Sequence, residues 1–183
     1  MKIIHFLNSC LIVSLFGFLN SAQASKEFKF EVTVPKNTCD ITVDGTSLNK
    51  VDFGNIPMSK FKNEVPQGNV KLAFDVKLSN CKNNTFSGSY ISLTGNYIEE
   101  YNGFLDDAGK EFAIRISPKS NATQGDTDFY TNVNNKIWTN IDKSNMSKTY
   151  YAYVMCKTGE TSCASNANTG DFKATLTLTF VSD

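Results

Sequence analysis

The chain has 183 residues, with 18 basic and 18 acidic side chains, so its formal net charge is zero. That balance implies neither a nucleic-acid partner nor an anionic membrane surface, both of which select for a basic excess. The only histidine, His5, lies in the first apolar run; once that run is cleaved, Ser-His and Cys-His nucleophiles, HExxH metal sites and any histidine general base are excluded.

That apolar run comes first in chain order. Lys2 precedes the stretch from Ile3 to Leu19, which closes on Ala22-Gln23-Ala24. This is the three-part pattern of a secretory signal peptide, expected to span residues 1–24. Cys10 lies inside the apolar run rather than after it, against a lipoprotein site. The run is also shorter than the roughly 20 residues that span a bilayer. Loss of Cys10 leaves Cys39, Cys81, Cys156 and Cys163. An even number in an exported chain reads as two disulfides. Of the three pairings, a Cys156–Cys163 bridge would close the short loop Lys157-Thr-Gly-Glu-Thr-Ser162, leaving Cys39 for Cys81. Chain entropy assigns about 4 kcal/mol to the long bridge and about 2.5 kcal/mol to the short one. With no CxxC pair and no histidine partner, zinc is not indicated, and no metal or cofactor is expected.

From Ser25 onward the dominant signal is strand alternation. Phe28-Lys-Phe30-Glu-Val32-Thr-Val34 places its apolar residues at every second position, hence on one face of a strand. Cys39 to Val43 is a weaker strand ending at Asp44-Gly45. Val70-Lys-Leu72-Ala-Phe74-Asp-Val76-Lys-Leu78 alternates without interruption into Cys81. Tyr90 to Leu93, Phe112 to Ile116 and Tyr150 to Met155 are further strands bounded by turn residues. Residues 117–148, rich in Asn, Thr, Ser and Asp, read as loops with short strands around Phe129 and Ile137–Trp138. Phe172-Lys-Ala174-Thr-Leu176-Thr-Leu178-Thr-Phe180 alternates again, with threonine on its other face as β-propensity favours. No window carries a helical period. Seven or so short strands punctuated by turns predict one all-β domain, an immunoglobulin-like β-sandwich.

In order and spacing these fragments resemble the type 1 fimbrial subunits of the chaperone and usher pathway. The residues that carry the resemblance are the alternating arm before Cys39, Val51-Asp-Phe53-Gly54 at a turn, and the alternating strand into Cys81. Leu93-Thr-Gly95, Phe112-Ala-Ile114-Arg-Ile116, Tyr150-Tyr151-Ala-Tyr153 and Gly170 near the C-terminus continue it. The resemblance implies an incomplete sandwich lacking its last strand, spanning 37–183, with an N-terminal donor-strand arm over 25–36. Phe28, Phe30, Val32 and Val34 would be the donor knobs. Phe172, Ala174, Leu176, Leu178 and Phe180 would line the acceptor groove and bind a periplasmic chaperone. An open groove of that kind exposes a strand edge beside apolar surface, and a complementary strand satisfies both at once. The implied partners are neighbouring fimbrial subunits, the chaperone, an outer-membrane usher and a host-surface receptor. The implied route is export through the periplasm to a fimbrium on the bacterial cell surface. Val32 stands where family arms carry glycine, Ser182 where they carry a penultimate tyrosine, and the Cys156/Cys163 pair is additional.

Other chemistries fit less well. Ser59-Lys-Phe-Lys62 and Lys157-Thr158-Gly159 match motifs of serine-active penicillin-binding enzymes, but the first lies after Pro57 in a stretch with no helical pattern and the second inside the proposed disulfide loop. Glu99, Glu100, Asp106 and Asp107 lack calcium-loop spacing and read as a solvated acidic loop. Tyr97, Tyr101, Tyr130 and Trp138 are either a sugar-binding platform or packing residues. The triplets at Asn83, Asn121 and Asn145 mark surface loops. No catalytic residue is assigned. The expected function is a non-enzymatic fibre subunit polymerised by donor-strand exchange and contributing to adhesion. A single-domain tip adhesin of the same fold is the alternative.

Overall fold

The structure, a computed structural model, describes residues 26–33, 39–44, 50–82, 86–107, 110–157, 163 and 171–182. The expected signal segment 1–24, Val34, Asn83, the Thr158-Gly159 pair and Gly170 lie outside the described residues.

Eleven strands are described: β1 (Lys26–Thr33), β2 (Asp40–Asp44), β3 (Lys50–Asp52), β4 (Lys71–Ser79), β5 (Tyr90–Gly95), β6 (Tyr97–Ile98), β7 (Gly103–Phe104), β8 (Phe112–Ser117), β9 (Lys136–Trp138), β10 (Ser147–Cys156) and β11 (Phe172–Val181). They form a five-stranded sheet ordered β3-β1-β11-β5-β9 and a six-stranded sheet ordered β2-β4-β10-β8-β7-β6. The two sheets meet through side chains on alternate positions. Phe30 of β1 lies against Phe74 of β4, and Phe112 of β8 against Phe172 of β11, both with ring centroids 4.8 Å apart.

Alternation decides these faces. Along β11, Phe172, Ala174, Leu176, Leu178 and Phe180 are buried, Lys173 is exposed and the threonines are half-buried. Along β4 the buried residues are Phe74, Val76 and Leu78. At about 1.5–3 kcal/mol for each fully buried Leu, Val or Phe side chain, such rows supply the main drive for closing the sandwich. The two expected disulfides are present. Cys39–Cys81 ties the entry of β2 to the exit of β4, and Cys156–Cys163 closes the loop that leaves β10.

Three sequence expectations are corrected. A helix, α1, spans Met58–Asn63 where no helical period was visible. At six residues it needs a single apolar anchor, Phe61, which is buried with its ring 4.8 Å from that of Phe112. The Val51–Gly54 turn is the end of β3 followed by a turn at Gly54, whose φ is +59° and whose N–H donates to Asp52 Oδ1 at 2.8 Å. No strand forms around Phe129. That segment instead folds back over the outer face of the six-stranded sheet, where Phe129 and Ala122 bury against Tyr153 and Met155 in a second apolar cluster. This cover is why all six residues of β8 are buried rather than alternate ones. Of the two readings of the four aromatics, packing holds for Trp138 and Tyr130, which are core residues.

Candidate functional site

The site is the strand position between β3 and β11, and β1 fills it. β1 pairs in parallel with β11 from Lys26↔Phe172 through Phe30↔Leu176 to Thr33↔Thr179. Its other edge pairs antiparallel with β3, from Glu27↔Asp52 to Lys29↔Lys50. β1 thus satisfies backbone groups on two strands that do not otherwise meet, and buried groups of that kind must be paired. The chain's own N-terminal arm occupies the groove lined by the predicted acceptor residues.

Within that slot Phe30 is 2% exposed and Val32 packs partly buried against the core, while Lys29 and Glu31 face out. Phe28 takes its backbone place opposite Ala174 on one side and Val51 on the other. The structure therefore brings Phe28, Phe30 and Val32 into register with Ala174, Leu176 and Leu178, one position each; Val34 lies outside the described residues. All five predicted groove residues are buried.

The far edge of β11 is covered as well. β5 pairs antiparallel with it from Leu176 to Val181. Where β5 stops, Asp106 takes over. Its N–H donates to Lys173 O at 2.8 Å, and its carboxylate accepts from the Thr175 N–H at 2.8 Å and the Thr175 hydroxyl at 2.6 Å. Asp106 stays exposed, as expected of the acidic loop, but its carboxylate also extends the sheet. Nothing in its sequence neighbourhood announces this, because its partner is β11.

A second feature missed from the sequence is Arg115, on β8. It is 1% exposed and donates through Nε to Tyr101 O at 2.8 Å, through Nη1 to Gln124 O at 3.1 Å and through Nη2 to Cys156 O at 2.9 Å. Its guanidinium also lies 5.5 Å from the centre of the Phe129 ring. Burial lowers its pKa to about 10, opposed by Tyr97, which raises it. The side chain joins a 3-10 turn at Glu99–Tyr101, the covering loop and the end of β10 at the Cys156 bridge. Tyr150 is a comparable anchor: its hydroxyl donates to Ile137 O at 2.7 Å, and burial pushes its pKa far above the usual phenol value.

The remaining sequence candidates do not assemble a reactive centre. Ser59 and Lys62 are both exposed on α1. Glu100 pairs with Lys157 at 3.0 Å, and among the described residues no group of three or more His, Cys, Asp or Glu side chains is placed to hold a metal. Tyr97 lies edge-on to Phe104, with centroids 5.2 Å apart, and is half-buried.

Fold and site together define the class: a two-sheet β-sandwich in which one strand position, between the last strand and a short early one, is filled by an N-terminal arm. Residues 27–181 match the fimbrial protein family, and the chain belongs to that family. It is a fimbrial structural protein, of a family whose members are subunits of surface fimbriae and associate with other fimbrial subunits. Its fold is similar to that in the crystal structure of the P pilus rod subunit PapA, with a TM-score of 0.52 and 18% identity over 85% of this chain and 99% of that one. No curated protein sequence matches it.

Proposed function

We propose that this chain is a non-enzymatic subunit of a bacterial surface fimbria that polymerises by donor-strand exchange and contributes to adhesion. Cleavage after residue 24 would free an arm, 25–36, whose Phe28, Phe30, Val32 and Val34 enter the groove of a neighbouring copy's 37–183 domain. That neighbour's Phe172, Ala174, Leu176, Leu178 and Phe180 receive them. Before assembly the groove is covered by a periplasmic chaperone, which hands the subunit to an outer-membrane usher; at the cell surface the fibre meets a host receptor.

One observation carries this reading: the slot between β3 and β11 is filled by a segment from the opposite end of the chain, joined to the rest by residues 34–38 alone. A strand so attached can be replaced by an equivalent strand from elsewhere. The longer of its two ladders, eight pairs with β11, is parallel, the slightly less stable type, and the three pairs with β3 are antiparallel, so an arm entering in the opposite direction would gain on the longer ladder and lose on the shorter.

The test compares a chain starting at Ser25 with one lacking residues 25–36, each with and without a synthetic peptide of that segment. The arm-deleted chain should aggregate or unfold non-cooperatively alone, and recover a cooperative urea transition when the peptide is added. A soluble, cooperatively folded, arm-deleted monomer that ignores the peptide would show that the slot needs no strand, and the exchange mechanism would fall with it.

A further inference from the structure

Away from the slot, at the outer edge of the five-stranded sheet, lies an open cleft of about 390 Å³. Its wall carries Ser87, Ser89, Tyr90, Lys136, Thr139 and Asn140. The size lies in the lower part of the range of small-molecule sites. Both sides are held by the fold. On one side the turn Phe86–Ser89 is closed by the Ser89 N–H donating to Phe86 O at 2.9 Å, and Phe86 is anchored against Phe180 with ring centroids 6.4 Å apart. On the other side β9 delivers Lys136 and then turns at Asn140, whose φ is +55°. Between them the β5–β9 ladder shifts register at Ile91/Ser92. Irregularities of this kind re-aim side chains and are over-represented beside functional sites.

The lining has a definite chemistry. Three aliphatic hydroxyls, the Tyr90 phenol and one carboxamide offer both donors and acceptors, as a ligand rich in hydroxyls requires. Tyr90 adds an amphipathic ring suited to the C–H face of a sugar. The one charged residue of the lining is Lys136, and none of the lining residues is a carboxylate. Its ammonium is steadied 4.3 Å from the centre of the Tyr90 ring, and the side chain remains exposed. A lone, oriented cation among hydroxyls and an amide selects a polyol that carries a negative charge.

We propose that this cleft binds a carboxylate-bearing saccharide unit. Lys136 takes the carboxylate, the Ser87, Thr139 and Asn140 side chains bond the ring hydroxyls, and Tyr90 packs against the sugar's apolar face. The cleft lies outside the strand slot, although its Phe86 wall leans on Phe180 of the groove strand.

The experiment uses the chain from Ser25, labelled with ¹⁵N and titrated separately with N-acetylneuraminic acid, glucuronic acid and neutral lactose. The first two distinguish the two natural sources of a sugar carboxylate. The proposal expects saturable amide shifts confined to residues 87–90 and 136–141 with at least one acidic sugar, and binding of lactose weaker by about tenfold or more. Lys136→Gln, at an exposed position, should reduce the acidic sugar to the lactose level. Thr139→Trp, also exposed, should abolish the shifts by filling the cleft. The proposal is overturned if neither acidic sugar gives saturable shifts there, if lactose binds as well, or if Lys136→Gln changes nothing.

Discussion

Truncating Phe30 to alanine measures how firmly the arm is seated. The side chain is 2% exposed, faces Phe74 at 4.8 Å and sits opposite Leu176 in the β1–β11 ladder. Removing a buried phenylalanine costs about 3–5 kcal/mol when the site cannot collapse, and an aromatic pair adds about 0.5–1.5 kcal/mol of coupling beyond its buried area. For a domain of this size about 2–4 °C of melting temperature accompanies each kcal/mol, so a fall of about 6–20 °C is expected. The assay is urea and thermal unfolding of the chain from Ser25 at two protein concentrations, with Phe30→Ala, Phe74→Ala and the double variant. Where the arm stays in its own slot the loss does not change on dilution, whereas arms exchanged between copies make it concentration-dependent; in either case the double-mutant cycle should return the aromatic coupling. A Phe30→Ala variant within about 0.5 kcal/mol of its parent would refute the seating of Phe30 in the slot.

Two further predictions concern groups that bind the sandwich together. Arg115→Met should cost about 3 kcal/mol or more, since three main-chain carbonyls lose a charged donor; a urea midpoint equal to the parent's would show that the carbonyls find other partners. Burial raises the phenol pKa values of Tyr97, Tyr130, Tyr150 and Tyr153. The stability tied to them is therefore complete below the unfolded value of about 10 and is lost as pH climbs toward their folded values. Lys148 and Arg115, whose pKa values burial lowers, act in the opposite sense, but the four phenols outnumber them. The urea midpoint should fall steadily above about pH 10, and a midpoint that holds or rises there would contradict the sign.

What could be read from the sequence is what repeats along one strand. β4 and β11 alternate over nine and ten residues, and that period alone identified the faces that meet in the core. β8 was legible as a strand but not in its burial, because its outer face is covered by the polar-looking segment after Ser117, and only Phe129 and Ala122 of that segment do the covering. α1 and β3 were invisible for want of length: six and three residues cannot display a period. Asp106 and Arg115 were missed for another reason. Their partners are main-chain groups far away in sequence, and a main-chain carbonyl leaves no mark in an amino-acid sequence. The donor and acceptor residues were recognisable from alternation and family resemblance together. That the arm lies in its own chain's slot, in parallel with β11, is a matter of topology that alternation does not encode.

The pairing of β1 with β11 also has a consequence in time. The two strands are separated by nearly all the intervening sequence, so this ladder carries the largest loop-closure cost in the molecule and belongs among the slowest contacts to form. The β2–β4–β10–β8 part of the other sheet closes over shorter or disulfide-tied spans and can organise first. During that interval the seat beside β11 stands vacant next to a tethered strand that has not yet reached it. Which strand takes the seat is then decided by arrival rate, and the local concentration of rival strands matters as much as their affinity.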